Sequence, residues 1–283
     1  LILTPADATN GGVVTTGAQT FAGSKTFTNT VTFGTDITVN GLTLGGSTTY
    51  GNTALGYLAL KQVQASSYNA GSWNTAIGHA SMYGNTTGNF NTAIGRSALT
   101  NNTTGSYNTT IGFHSGSSLR TVGSAFGTEN TFIGNSSGAG ITTGSYNTAF
   151  GFVSLGQNTS GIDNTAFGTN SLQFNTTGNS NLGIGNGAGR NNTTGSNNTA
   201  LGAYDALRNN TTGSNNTVIG FNAMYSNVGN NGTVAIGHNA MYFADDRTTG
   251  RITGNTAVGY ESLKGSSTAA NNTGQNNTAI GYQ

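Results

Sequence analysis

A five-residue motif, N-T-A-I-G, recurs along the chain and constrains its fold more than any other feature. Thirteen copies are present, and we number the repeat from the glycine that closes each copy, as position 0. Neighbouring closing glycines are 17 residues apart, with 22 residues in four places and 18 in one. A fixed period with insertions of one set size is typical of a solenoid, in which each coil closes and extra residues loop outwards.

Position −1, directly before the closing glycine, is always large and apolar. Such a column predicts the stacked core of the solenoid. Its members are Leu55, Ile77, Ile94, Ile111, Ile133, Phe150, Phe167, Ile184, Leu201, Ile219, Ile236, Val258 and Ile280.

Position −2 is mostly Ala, and its side chain points the opposite way along a strand. A small residue there predicts the close approach of another surface, such as a neighbouring subunit. Each coil carries only about two large apolar side chains, so further burial between chains is also expected. Together these features favour a homo-oligomer.

Three other columns predict how the coils are built. Position −4 is Asn in twelve of the thirteen copies, and stacked Asn side chains can hydrogen-bond from coil to coil. Position +4 is a second apolar column, with members such as Leu60, Leu99 and Met224. Position −7 is Gly in ten copies, which predicts a turn with positive φ. The expected fold is therefore an all-β β-solenoid, or β-roll, of about 13 coils over residues 50–283.

Residues 1–49 lack the motif. Their apolar residues alternate with Thr, Asn and Lys, and glycines interrupt the run at Gly34 and Gly41. This pattern predicts short strands and turns, in a β-rich stalk or connector that pairs with other chains. The chain starts at Leu1 and ends at Gln283, two residues after a closing glycine, so we expect it to lie within a longer polypeptide.

Composition limits the function classes. The net charge is +1 and only 6% of residues are charged, which argues against nucleic acid as a partner. The sequence has no Cys for a thiolate metal site or a disulfide, and no apolar run long enough to span a membrane. We expect no enzyme activity, no cofactor and no metal.

The motif resembles a known family of repeats. Asn91 to Leu99 (N-T-A-I-G-R-S-A-L) and Asn216 to Met224 (N-T-V-I-G-F-N-A-M) are similar to the head repeats of trimeric autotransporter adhesins and to longer repeats in bacteriophage tail fibres. Gly12 to Phe27 resembles segments of tail-fibre shafts. The resemblance implies a homotrimeric β-roll, an extracellular location on a cell surface or virion, and a role in attachment.

Few residues are candidates for local chemistry. His79, His114 and His238 lie in separate coils, and two of them directly follow a closing glycine in a column that is often aromatic, so packing at the rim is expected. The adjacent pair Asp245 and Asp246 lies in an insertion, where a solvated loop is favoured over two glycosidase carboxylates.

The long insertions are the best candidates for recognition of a surface receptor or glycan, because loops on a rigid scaffold commonly carry binding. Tolerated bulges without a ligand are an equal alternative. The candidate recognition residues are charged side chains that fall in or beside the long coils, namely Arg120, Asp245, Asp246, Arg247, Arg251 and Lys264.

The leading functional hypothesis is a structural fibre segment that displays attachment surfaces. The main alternative is a self-polymerising extracellular filament, in which the N-terminal strands of one subunit complete the open end of the next by β-strand addition. A minor alternative is ice binding by Thr ranks such as Thr103-Thr104 and Thr193-Thr194.

Overall fold

The computed structural model describes residues 37–39, 42–45, 51–61, 71–117, 127–243, 251–268 and 271–283. These residues form fifteen short strands and no α-helix. In chain order the strands are β1 (Ile37–Val39), β2 (Leu42–Gly45), β3 (Thr53–Leu55), β4 (Thr75–Ile77), β5 (Thr92–Ile94), β6 (Thr109–Ile111), β7 (Thr131–Ile133), β8 (Thr148–Phe150), β9 (Thr165–Phe167), β10 (Leu182–Asn186), β11 (Thr199–Tyr204), β12 (Thr217–Ile219), β13 (Val234–Ile236), β14 (Thr256–Val258) and β15 (Thr278–Ile280).

One sheet contains all of these strands, in the order of the sequence. From β3 to β15 every neighbouring pair is parallel, and each motif copy pairs in register with the next, as Thr148, Ala149 and Phe150 do with Thr165, Ala166 and Phe167. Each coil thus adds one strand beside the previous one, which confirms the all-β solenoid. At about 4.8 Å per coil, the twelve steps from β3 to β15 extend roughly 60 Å.

The prediction that position −1 forms the core is wrong for the single chain. Position −2 is the buried one: Ala76, Ala93 and Ala149 are 0% exposed. Position −1 is half-buried or exposed in every coil, with Phe167 at 40%. The misassigned residues are Ile77, Ile94, Ile111, Ile133, Phe150, Phe167, Ile184, Leu201, Ile219, Ile236, Val258 and Ile280, and we call them, with Leu55, the outward column.

The narrowness of each coil explains this reversal. The second apolar column was predicted correctly, and Leu99, Leu155 and Met224 are fully buried in it. It packs together with the strand residues at position −2 in the same hydrophobic clusters, so only a small side chain fits there in most coils. The outward position has no such limit on size. The small Ala side chains therefore face the chain's own core and not another subunit.

Buried Asn side chains form the ladder that the motif predicts. Nδ2 of Asn91 donates to Oδ1 of Asn74 at 3.1 Å and to the carbonyl of Gly105 at 2.8 Å, while the backbone N–H of Asn91 donates to the same Oδ1 at 2.9 Å. At Thr233, where Asn is absent, the hydroxyl pairs with that of Thr253 at 2.6 Å. Stacked Asn residues thus satisfy buried polar groups in the coils they connect.

A second ladder, not predicted from the sequence, runs through the N-N-T-T-G turns. Nδ2 of Asn192 donates to Oδ1 of Asn175 at 2.7 Å, and Asn210 donates in the same way to Asn192 at 2.7 Å. Both ladders repeat at the coil spacing and rigidify the stack.

The glycines of the repeat have two different physical roles. The prediction of positive φ at position −7 is wrong, because no described glycine of that column has it. A Cβ atom at Gly144 would instead lie 2.5 Å from the carbonyl oxygen of Gly161, so close contact between coils excludes a side chain. Every closing glycine except Gly202 has φ between +121° and +136°, as in Gly151 at +136°, which L residues rarely adopt.

The N-terminal segment is described only in part. β1 and β2 pair antiparallel, and β2 pairs antiparallel with β3, the first strand of the solenoid in the same chain. The remainder of the predicted stalk, including residues 1–36, lies outside the described residues. Among the residues that are described, no helix has the length and apolar character needed to cross a bilayer.

Candidate functional site: the outward surfaces of the coils

The outward column forms an apolar row along the sheet. Each strand alternates, so that Ala at position −2 faces the core while Thr at −3 and the large residue at −1 face outwards. Because the strands pair in register, Phe150 and Phe167 stack with their ring centroids 4.8 Å apart and their planes within 5°. A row of this kind leaves large apolar side chains partly in water over thirteen consecutive coils.

A second exposed row follows at position +1. Phe221, His238, Tyr260 and Tyr282 stack one above another in this row, and Tyr204, at position +2 of the coil that is one residue longer, stacks on Phe221; the centroids are 5.0–5.8 Å apart and the planes lie within 20°. The same column contains Tyr57 and His79 at 5.6 Å, and the guanidinium of Arg96 lies 5.4 Å from the centre of the Phe113 ring. Exposed side chains on successive coils thus interact by ring stacking and, at Arg96 and Phe113, by a cation–π contact.

A third row occupies the corner before each strand, at position −5, and we call it the corner column. All of its described residues have φ between +53° and +67°. They are Gly51, Trp73, Phe90, Tyr107, Glu129, Tyr146, Asp163, Ser180, Asn197, Asn215, Gly232, Gly254 and Asn276. The first aromatic members stack, with centroids 4.9 Å apart for Trp73 and Phe90 and 5.0 Å for Phe90 and Tyr107.

The structure does not bring the histidines together. His79 and His238 lie exposed in the position +1 row, and each contacts an aromatic ring. His114 packs edge-on against Phe113 at 4.2 Å, and burial, followed by the nearby charge of Arg96, lowers the pKa of His114. In the part of the chain that the structure describes, no group of three or more metal-ligating side chains occurs.

Two of the predicted recognition residues can be placed. The guanidinium of Arg251 donates to the carbonyls of Asn272 at 2.6 Å and Thr273 at 2.8 Å in the next coil. Lys264 pairs with Glu261 at 2.8 Å. Both side chains therefore make contacts within the chain. The other four, Arg120, Asp245, Asp246 and Arg247, lie outside the described residues. So do most residues of the long insertions before β4, β7 and β14, whereas most of the insertion between β14 and β15 is described.

Glu261 is held as a carboxylate by its neighbours. Hydrogen bonds from Lys264 and then Gln283 lower the pKa of Glu261 to about 2, and the pairing in turn raises the pKa of Lys264. Nearby, a cavity of about 210 Å³ is lined by Met241, Phe243, Leu263 and the coil-bridging Arg251 among others. The pair and the cavity lie in the two longest C-terminal coils.

The corner column went unnoticed in the sequence, although a signal was present. Position −5 is Gly or Asn in many coils, as in Gly51, Asn197 and Gly254, and these are the residues that favour left-handed backbone. The frequent Gly and Asn predict a left-handed corner at this position. Trp73 and Tyr107 occupy it although aromatic residues disfavour left-handed backbone.

Comparison of the chain with family models, with curated proteins and with solved structures found no match.

Proposed function

We propose that this chain is a non-enzymatic structural segment of an extracellular fibre, assembled from several copies that pack through the outward column. The single observation that carries the proposal is the partly exposed apolar row at position −1. Large exposed apolar patches on soluble proteins mark interaction sites. A row that continues through every coil fits a partner of the same length and regularity, which a second copy of the chain supplies.

The chemistry of the row supports self-association. Only 6% of the residues are charged, so few charges oppose the packing of one copy on another. Burying the exposed part of Phe167 and of its equivalents would add apolar contact at about 25 cal/mol per Å². The number three, the extracellular location and the attachment role come from the resemblance to adhesin heads and tail fibres, and an unidentified receptor or glycan completes the proposal.

Two observations weigh against the alternatives. β2 pairs with β1 and with β3 of its own chain, so both edges of β2 are already used and this strand is not the one that could add to the solenoid of another subunit in a head-to-tail filament. The hydroxyl of Thr193 donates to the carbonyl of Thr211 at 2.9 Å, and Thr176 donates to Thr193 at 3.0 Å. These hydroxyls are engaged between coils, which reduces the case for ice binding.

Negative-stain electron microscopy and native mass spectrometry of the full chain test the proposal. We expect discrete rods of one fixed length and three chains. Monomers, or open-ended filaments that lengthen with concentration, would contradict it.

A further inference from the structure

The corner column contains an alternation of rings and carboxylates. Tyr107, Glu129, Tyr146 and Asp163 occupy the same position in four successive coils. Their φ values lie between +57° and +60°, and each backbone N–H donates to the previous coil at the equivalent residue, from Tyr107 to Asn89 at 3.0 Å through Asp163 to Ser145 at 3.2 Å. The four side chains therefore leave the backbone in equivalent directions.

This placement is costly for the backbone. Left-handed conformation disfavours residues other than Gly, Asn and Asp by roughly 1–2 kcal/mol each. Tyr107 and Tyr146 are also 58% and 53% exposed, so burial does not explain them. Later coils use Ser180, Asn197 and Asn215 at the same corner. Left-handed backbone also occurs in the buried column at position +4, as at Leu155 with φ of +48°, so exposure of the side chain, and not the backbone alone, sets these corner residues apart.

The spacing places one ring on either side of Glu129. Rings on adjacent coils of this column lie 4.9–5.0 Å apart. At the same spacing, the rings of Tyr107 and Tyr146, two coils apart, are separated by about 10 Å, and the Glu129 side chain stands between them. A cation paired with the Glu129 carboxylate at the outer edge of this gap would lie about 5–6 Å from each ring, within the range of cation–π attraction.

Charge favours the same occupant. Glu129 and Asp163 are exposed carboxylates on either side of Tyr146, and neither has an ion-pair partner among the described residues. We propose that Tyr107, Glu129 and Tyr146, with Asp163 beside them, bind an organic cation of the quaternary ammonium class. Aromatic faces combined with carboxylates suit a large, weakly hydrated cation better than a small metal ion. This site lies in a single chain and goes beyond the proposed fibre role.

Saturation-transfer NMR of choline with the full chain tests the site, and the neutral isostere 3,3-dimethyl-1-butanol serves as its control. We expect choline to bind with a Kd on the order of 10 mM and the neutral alcohol to bind at least several-fold more weakly. Retention of the chain on phosphatidylcholine vesicles, but not on phosphatidylglycerol vesicles, would indicate a lipid headgroup as the source of the ammonium. Binding of free choline without retention would indicate a soluble ligand, and either result supports the site.

Variants assign the site to its residues. Tyr146→Asn, which suits the left-handed corner, should weaken choline binding about three- to fivefold. Glu129→Gln should weaken it about threefold at low salt, and by less at high salt because the charge is screened. Tyr57→Asn removes an equally exposed ring from the position +1 row and should change nothing. The inference is overturned if the neutral alcohol binds as well as choline, or if Tyr57→Asn weakens binding as much as Tyr146→Asn does.

Discussion

The ring of Phe132 fills the space that a side chain at Gly138 would need. A Cβ atom at Gly138 would lie 2.5 Å from Cδ2 of Phe132, and one at Gly116 in the preceding coil would lie 3.4 Å from the same atom. Phe132 stands where most coils have Ala, and the two glycines stand where most have Leu or Met. In these coils a large residue at position −2 thus goes with a glycine at position +4, whereas most coils have Ala at −2 and Leu or Met at +4. The total side-chain volume of the core stays similar, as close-packed interiors require.

This exchange predicts a paired effect of substitutions. Gly138→Leu should lower the free energy of unfolding by about 1–3 kcal/mol, because the new side chain collides with the Phe132 ring. Phe132→Ala should lower it by about 3–5 kcal/mol by leaving a cavity. The double variant has the arrangement of the other coils and should recover most of the loss. Chemical denaturation of the four proteins measures the coupling.

Leu155 and Leu172 occupy the same column with φ of +48° and +47°, so the backbone at Gly138 can accept Leu. Any backbone strain from Leu at position 138 is present in both the single and the double variant, so it cancels from the coupling between the two sites. If the losses of the two single variants simply add in the double variant, the exchange of volume between Phe132 and Gly138 is contradicted.

The Asn ladder predicts a large cost for one small deletion. The side chain of Asn147 donates to Gly161 at 2.8 Å and accepts from the backbone N–H of Asn164 at 3.0 Å. Asn147→Ala removes the partner of the buried Asn164 N–H and one of the two hydrogen bonds to the Gly161 carbonyl, which Asn158 also donates to at 3.0 Å, and should lower the free energy of unfolding by about 1–3 kcal/mol. Gln157→Ala, on the exposed surface of the following coil, should change it by less than about 0.5 kcal/mol. Similar effects of the two variants in a denaturation experiment would rule out a structural role for the ladder.

The pairing of Glu261 predicts a pH dependence. Its pKa in the folded chain is about 2, below the ordinary value of 4.5, so its pairing contributes stability fully above pH 4.5. That contribution is lost as the pH falls towards 2. The NMR signal of the Glu261 carboxyl carbon should therefore titrate near pH 2, and Lys264→Ala should move the midpoint upwards. A midpoint near 4.5 in the unsubstituted chain would contradict the described pairing.

The period and the strands could be predicted from the sequence because each motif copy has the same neighbours in every coil. The direction of each side chain could not. Ala149 and Phe150 alternate on one strand, and residue size alone favours Phe150 as the core. The distance between the strand and the facing Leu column decides the question, and that distance depends on how the whole coil closes.

The roles of the glycines and the candidate site also depend on contacts between coils, which the sequence alone does not show. Gly144 lacks a side chain because of a carbonyl in the next coil, a contact between residues 17 positions apart that no local turn rule contains. The alternation of Tyr107, Glu129 and Tyr146 appears only when residues from three coils are aligned at one corner. The long insertions followed from the spacing of the repeat, but most of their residues lie outside the described part of the chain, so their role in recognition stays a prediction.

Sedimentation equilibrium of the full chain and of one outward variant tests the central claim most directly. Ile184→Asp combined with Ile219→Asp places charges on the outward column, where both residues are half-buried in the single chain. We predict a trimer for the unsubstituted chain and a folded monomer, with an unchanged β-sheet circular dichroism spectrum, for the variant. A variant that remains trimeric, or an unsubstituted chain that stays monomeric at every concentration, would contradict assembly through the outward column.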